Sequence, residues 1–149
     1  LADKMPMIFH MPSEPPSNSM TNIVAITGPG TAFPGSRSTQ KADFTDGLDN
    51  TILLTEITNS KINWLEPKDL HVEEMSFVVN DQHRPSISCS RRRGPFVVFG
   101  DSIHTHQVSP SLRREALRAL TTIAGAERLR IVEIHGVGLT SPTADEKVE

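Results

Sequence analysis

The stretch DFTDGLDNTILLTEI (residues 43–57) carries the most ordered local pattern in the chain. It starts as a turn, because Asp46-Gly47 is a turn-forming pair and the short polar side chains around it can bond to backbone groups. Residues 52–57 then read as an extended segment, with Ile52, Leu54 and Glu56 predicted to share one face. The stretch therefore predicts a turn that leads directly into a strand.

Five further segments have the length and composition of strands. They are residues 21–27, 75–80, 96–99, 102–106 and 129–134. Because Gly100-Asp101 has acceptable chemistry for a two-residue turn, the segments on either side of it are predicted to form a hairpin. Short strands joined by turns favour an antiparallel sheet.

One segment, residues 109–124, has the period of an amphipathic helix. Its apolar residues fall on one stripe: Leu112, Ala116, Leu117, Leu120, Ile123 and Ala124. Ser109 can cap this helix, Pro110 suits its first turn and Gly125 can end it. The stripe is expected to pack against the sheet.

The chain has 149 residues, enough for one domain with a moderate core. Its 11 prolines and 9 glycines favour a loop-rich fold that contains strands over a helical bundle. We therefore predict an α+β fold, with an antiparallel sheet and one C-terminal helix, in a single domain of residues 21–136. Residues 1–20 are expected to be irregular, and residues 137–149 to form a polar, frayed tail.

Composition argues against several classes of function. The formal net charge is −3 and aromatic residues make up 5%, whereas a nucleic-acid-binding domain shows a basic face and more aromatics, so no nucleic-acid partner is expected. No apolar run reaches the roughly 18 residues of a membrane helix, and no signal peptide is visible. The single cysteine, Cys89, cannot form an internal disulfide. Because the chain begins at Leu1, we expect a fragment or a processed product.

The stretch TGPGTAFPG (residues 27–35) could be a phosphate-binding loop or a turn. A phosphate loop needs glycines that open a helix, so that amide N–H groups face the anion. The residues that follow are polar and have no helical period, and no Lys-Ser or Lys-Thr pair closes the motif. A surface turn is therefore predicted, with positive φ at Gly28 or Gly30.

Asp43, Asp46 and Asp49 recur at every third residue, with Asn50 beside them. Oxygen ligands on one loop are what calcium requires, about six in all. The spacing differs from that of an EF-hand loop, and the same residues suit turns and caps, in which carboxylate and amide groups bond to the backbone. The turn interpretation is preferred, so no cofactor is predicted, and calcium is the alternative.

Two other clusters could bind a ligand. His104 and His106 are two residues apart on one predicted strand, so their imidazoles share a face and could supply two ligands to zinc. Arg84 and residues 91–93 form a basic cluster that could meet lipid head groups or nucleic acid. Exposed histidines and a solvated loop, or arginines that cover a sheet edge, are the simpler interpretations. The chain has no G-x-S-x-G nucleophile motif, so no catalytic residue is assigned.

Five stretches, in a fixed order, resemble a bacterial family of pseudopilin-like domains of unknown function. They are TNIVAITGPGTAFPG, DFTDGLDNTILLTEI, INWLEPKDL, FVVFGDS and LRALTTIAGAE. Members of the family look like secreted proteins with a pilin-type N-terminal helix that is cleaved and methylated. The resemblance implies a pilin-head-like domain, an exported, periplasmic or cell-envelope location, and membrane contact only through an N-terminal helix absent from this chain.

The resemblance also implies which residues shape the head. The shared motifs contain residues with a predicted structural role: Gly28, Gly30, Gly47, Thr51, Glu66, Pro67 and Asp101. Some type II pseudopilins resemble this domain and hold calcium in the head, which supports the calcium alternative at residues 43–51.

The chain departs from the family pattern at two places. The family's C-terminal H-x9-D-G motif aligns its histidine with Arg91 and its aspartate with Asp101, but Ser102 stands where the glycine should follow. A cysteine that usually precedes PSDP is replaced by Met11 in HMPSEP. Roles that depend on that histidine or that cysteine therefore do not carry over to this chain.

These observations together predict a non-enzymatic protein with a structural or assembly role. The expected partners are other pseudopilin-like subunits or components of the envelope. The alternative is a ligand-binding module that holds calcium or a small solute at residues 43–51.

Overall fold

The computed structural model describes residues 4–9, 19–101 and 105–125. Within these ranges the strands are β1 (Ile23–Thr27), β2 (Ile52–Glu56), β3 (Leu70–His71), β4 (Phe96–Phe99) and β5 (Thr105–Gln107), and the α-helix is α1 (Arg114–Thr121). Single turns of 3-10 helix lie at Met7–Phe9, Lys41–Asp43 and Leu48–Asn50. None of these described helices has the length and apolar content needed to cross a membrane. The predictions for residues 129–134 and 137–149 lie outside the described ranges.

The strands form one sheet in the order β3-β1-β2-β4-β5. A five-stranded sheet with a helix near the C-terminus and long loops confirms the predicted α+β class. The prediction of a wholly antiparallel sheet is wrong, because β3 runs parallel to β1. Asp69, just before β3, accepts a hydrogen bond from the backbone N–H of Ala25 at 2.8 Å, and Val72, just after β3, donates its N–H to the carbonyl of Thr27 at 2.8 Å. These two bonds hold the short strand in its parallel direction.

A register shift in β2 decides which residues face the core. Ile52 pairs with Phe99 while Leu54 pairs with Val98, so one extra residue lies between the two pairs. Such a bulge turns the following side chains to the opposite face of the sheet. Ile52 is therefore fully buried whereas Leu54 is exposed, and the prediction that both share one face is wrong.

The core lies between the inner face of the sheet and α1. Val24, Ile26, Ile52, Val97 and Phe99 from the strands are buried in one cluster with Leu117 and Leu120 from the helix. Leu112 packs against this cluster without being fully buried. Within α1, the predicted apolar stripe thus packs against the sheet.

The helix is shorter than predicted, because backbone bonds at both ends compete with it. Before it, Ser109 accepts from the N–H groups of Ser111 and Leu112 and forms a separate turn, so Ser109 does not cap the helix. After it, the N–H of Ile123 donates to the carbonyl of Gly30 at 3.0 Å, which draws the chain away from the helical path. Ile123 is consequently half-buried and Ala124 exposed.

The predicted strand at residues 75–80 is also wrong. Met75 donates its N–H to the carbonyl of His71 at 2.9 Å, and Asn80 has a φ of 60°, so the segment is a series of turns. Only an isolated bridge between Ser76 and Ser86 has strand character here. The apolar pattern reflects burial of Met75 and Val79 in the core, which irregular backbone can also provide.

The register of β4 against β5 differs from that of the predicted two-residue turn. The pair closest to the connection is Val98 with Thr105, whereas a two-residue turn at Gly100-Asp101 would pair residue 99 with residue 102. Gly100 instead donates its N–H to the carbonyl of Thr51 at 2.9 Å, which extends the contact with β2. Of the predicted second strand, Thr105 and His106 lie in β5.

Candidate functional site

Three segments that the sequence motifs single out meet in space. They are the Gly28–Gly30 turn, the loop from Asp46 to Thr51, and the chain after α1 from Thr122 to Gly125; we call their meeting point the junction. The buried carboxylate of Asp46 accepts a hydrogen bond from the N–H of Gly125. This bond joins residues 79 positions apart in the chain.

Further bonds at the junction come from backbone groups and hydroxyls. Thr51 donates its hydroxyl toward the carbonyls of Gly47 and Thr122, at 3.2 and 3.3 Å. The Ile123 carbonyl lies 3.4 Å from both the Thr45 hydroxyl and the Asp46 N–H. At the junction, hydroxyl, N–H and carbonyl groups of the protein therefore bond to one another and link the end of the helix to two loops.

The Asp46–Thr51 loop is also held locally. Asn50 donates from its side-chain amide to the Asp46 carbonyl at 2.9 Å, and its own N–H donates to Gly47 at 3.2 Å. Gly47 has a φ of 95°, and a Cβ there would lie 2.5 Å from a carboxylate oxygen of Asp49. The backbone angle thus favours glycine at this position, whereas the exposed Asp49 side chain could move away from a Cβ.

The Gly28–Gly30 stretch is a turn. Gly28 and Gly30 have φ values of 113° and 78°, which confirms the prediction of positive φ. The Thr31 hydroxyl donates to the Gly28 carbonyl at 2.8 Å, and the Gly28 N–H donates to Phe33 at 2.9 Å. The polar stretch directly after it, residues 34–40, forms no helix. The arrangement a phosphate loop requires is therefore not formed at this turn.

The three aspartates of the calcium alternative do not converge. Asp43 is exposed and accepts from the Gln40 N–H at 2.7 Å, Asp46 is turned inward to Gly125, and Asp49 is exposed. Within residues 4–9, 19–101 and 105–125, no group of three His, Cys, Asp or Glu side chains is placed to hold a metal ion. This geometry favours the turn interpretation of the loop.

The remaining predicted residues are not among those that make the junction bonds described above. Glu66 bonds through its N–H to the Asn63 carbonyl at 2.8 Å in a local turn, and exposed Pro67 follows it. Asp101 directly follows Gly100 at the end of β4. His106 packs its ring edge-on to Phe99, with centroids 5.2 Å apart, and His104 lies outside the described residues. The zinc alternative depends on His104, so the described residues do not test it.

One pair was missed by the sequence analysis. Arg91 forms an ion pair with Glu56, whose carboxylate also accepts from the N–H of Phe96 at 2.8 Å. The Arg91 guanidinium carbon lies 4.8 Å from the centroid of the Phe96 ring. Arg91 therefore covers the sheet, while its neighbours Arg92 and Arg93 are exposed. A glutamate at the end of a strand, two residues after an apolar run, was the signal that a cationic partner was needed.

Cys89 lies next to this pair. Its N–H donates to the side-chain oxygen of Asn80 at 2.8 Å, and burial raises the pKa of its thiol. A raised pKa keeps the thiol protonated and weakly nucleophilic at neutral pH. Cys89 therefore belongs to the packing of the domain.

The outer face of the sheet, which points away from α1, carries apolar side chains. Ala25 pairs with Leu54, and Leu54 pairs with Val98, so these three form a row across β1, β2 and β4. Leu54 is 37% exposed and Phe96, at the start of β4, is 39% exposed. We call this row, together with Phe96, the outer apolar face.

Comparison with protein-family models, with curated proteins and with solved structures finds no match to this chain. The resemblance to pseudopilin-like domains therefore stays a prediction that rests on the five sequence motifs.

Proposed function

We propose that this chain is the head domain of an exported, pseudopilin-like protein, with a role in assembly and without catalytic activity. The observation that carries the proposal is the outer apolar face. A sheet that is apolar on both sides buries its second side against another element, and a helix with an apolar stripe is the usual cover. The proposed cover is an apolar pilin-type helix, from the same protein or from a neighbouring subunit.

The shape of this face supports the proposal. Ala25, Leu54 and Val98 lie on neighbouring strands, so together they present a row that runs across the sheet rather than a single exposed residue. Single exposed apolar residues are common on soluble proteins, whereas contiguous rows mark contact surfaces. The Arg91–Glu56 pair beside Phe96 gives the row a polar border.

The junction supports a structural role for the motif residues. The Asp46 carboxylate and the Thr51 hydroxyl bond to backbone groups of this domain. A loop that supplied its oxygens to a ligand would leave them directed at an open site. Asp46 and Thr51 are thus accounted for by the folding of this domain.

The proposal predicts that Leu54 is protected in the assembled protein. In a Cys89→Ser background, Leu54→Cys should react with a maleimide about tenfold more slowly in an envelope fraction from cells that make the complete protein than in the purified domain, since a covered thiol reacts only when the contact opens. Mass spectrometry of the labelled fraction over time measures both rates.

A matched control is Ser111→Cys in the same background, because Ser111 is exposed near the start of α1. Its rate should be equal in the two preparations. Equal rates for Leu54→Cys as well, or recovery of the complete protein from the cytosol alone, would contradict an assembly role for the outer apolar face.

A further inference from the structure

A groove of about 680 Å³ lies between α1 and the segment that follows β3. Its apolar lining comes from Val72, Met75 and Phe77, and Met75 is itself part of the core. The groove lies on the helix side of the sheet, so it is separate from the outer apolar face. It is also separate from the aspartates of residues 43–51, none of which lines it.

Three arginines line this groove. Arg114 and Arg118 lie one helical turn apart on the same side of α1, and Arg84 comes from the loop across from the helix. The guanidinium carbon of Arg118 lies 5.5 Å from the centroid of the Phe77 ring, and Arg84 donates to the Glu74 carbonyl at 2.9 Å. Arg118 and Arg84 are therefore already held in place, and these contacts leave other N–H donors of their guanidinium groups free.

Three carboxylates, those of Glu73, Asp81 and Glu115, also line the groove, so it is the placement of the arginines and not an excess of positive charge that distinguishes it. The pKa of Asp81 is lowered by hydrogen bonds from the Ser76 hydroxyl and from the N–H groups of His83 and Arg84. This carboxylate is therefore ionised, and its hydrogen bonds come from nearby residues of the chain. Glu73 lies 3.9 Å from the imidazole of His71. Among the residues that the structure describes, no carboxylate forms an ion pair with Arg84, Arg114 or Arg118.

We propose that this groove binds a small organic anion, with its carboxylate or phosphate held by Arg114 and Arg118 and its apolar body against Met75 and Phe77. Guanidinium groups present paired N–H donors that match the oxygens of both anions. The apolar lining favours an anion that carries a hydrocarbon or aromatic body over an inorganic ion. The proposal is independent of the assembly role, since it uses a different surface.

Backbone NMR with aryl anions tests the proposal. Benzoate or phenyl phosphate should cause saturable shifts of the amide signals at residues 81–84 and 114–118. Benzamide, which has the same ring but no charge, and inorganic phosphate, which has no ring, should bind more weakly. In Arg114→Gln/Arg118→Gln the Kd should rise about tenfold or more, because charge-assisted hydrogen bonds are lost.

Arg92→Gln/Arg93→Gln is the matched control, since it removes the same charge from exposed residues that do not line the groove. Its Kd should equal that of the wild type. Arg114→Gln alone is the control for a folding defect in the double variant. The Arg114 side chain is exposed, and its replacement keeps the contact between Arg118 and Phe77. The proposal is overturned if neither aryl anion gives saturable shifts, if benzamide or inorganic phosphate binds as well, or if both double variants raise the Kd equally.

Discussion

Leu117→Ala is expected to lower the free energy of unfolding by about 2–5 kcal/mol, the range for removing a large side chain from a packed core. Leu117 is 0% exposed and lies in the cluster that joins α1 to the inner face of the sheet. The helix has only eight residues, too few to be stable without this contact. Chemical denaturation followed by circular dichroism measures the change.

Leu65→Ala is the matched control, because Leu65 is 50% exposed and lies outside the core cluster. This second substitution should change the free energy of unfolding by about 0.5 kcal/mol or less, as is usual at the surface. A loss at Leu117 as small as that at Leu65 would show that α1 does not cover the sheet.

Asp46→Ala should lower the free energy of unfolding by about 1–3 kcal/mol, because the N–H of Gly125 loses a charged acceptor at the junction. Asp46 is 8% exposed and the bond to Gly125 is partly buried, so water reaches it less freely than it reaches a surface bond. The same denaturation experiment measures this effect. Hydrogen exchange at Gly125 should also become faster in the variant.

Asp49→Ala provides the control in the same loop, since Asp49 has the same side chain but is exposed. We expect a change of about 0.5 kcal/mol or less. If both variants lowered the free energy of unfolding equally, the stability of the loop would depend on its total negative charge and not on the bond from Gly125 to Asp46.

The fold class was predictable because the helix and three of the strands leave local patterns. The stripe of Leu117 and Leu120 and the apolar runs in β1, β2 and β4 can be recognised without knowledge of their partners. The bulge in β2 could not be predicted, since it is set by how Ile52 and Leu54 pair with β4. The parallel direction of β3 likewise depends on bonds from Asp69 and Val72 to a strand more than 40 residues earlier.

The residues of the junction could be predicted individually, but their partners could not. Asp46 and Asn50 were expected to bond within their loop, and Asn50 does so. Asp46 instead reaches Gly125, which had been assigned to the end of the helix. Arg91 shows the same limit of local pattern, because its partner Glu56 lies 35 residues away and on another element.

The melting temperature of the purified protein, measured with added calcium and with a chelator, tests most directly whether residues 43–51 are structural. An ion that binds only the folded state raises the melting temperature by mass action. We predict the same melting temperature in calcium and in chelator for the wild type, for Asp46→Ala and for Asp49→Ala, with Asp46→Ala lower in both conditions. A calcium-dependent rise of several degrees in the wild type that disappears in both variants would contradict the structural role and establish a calcium-binding module.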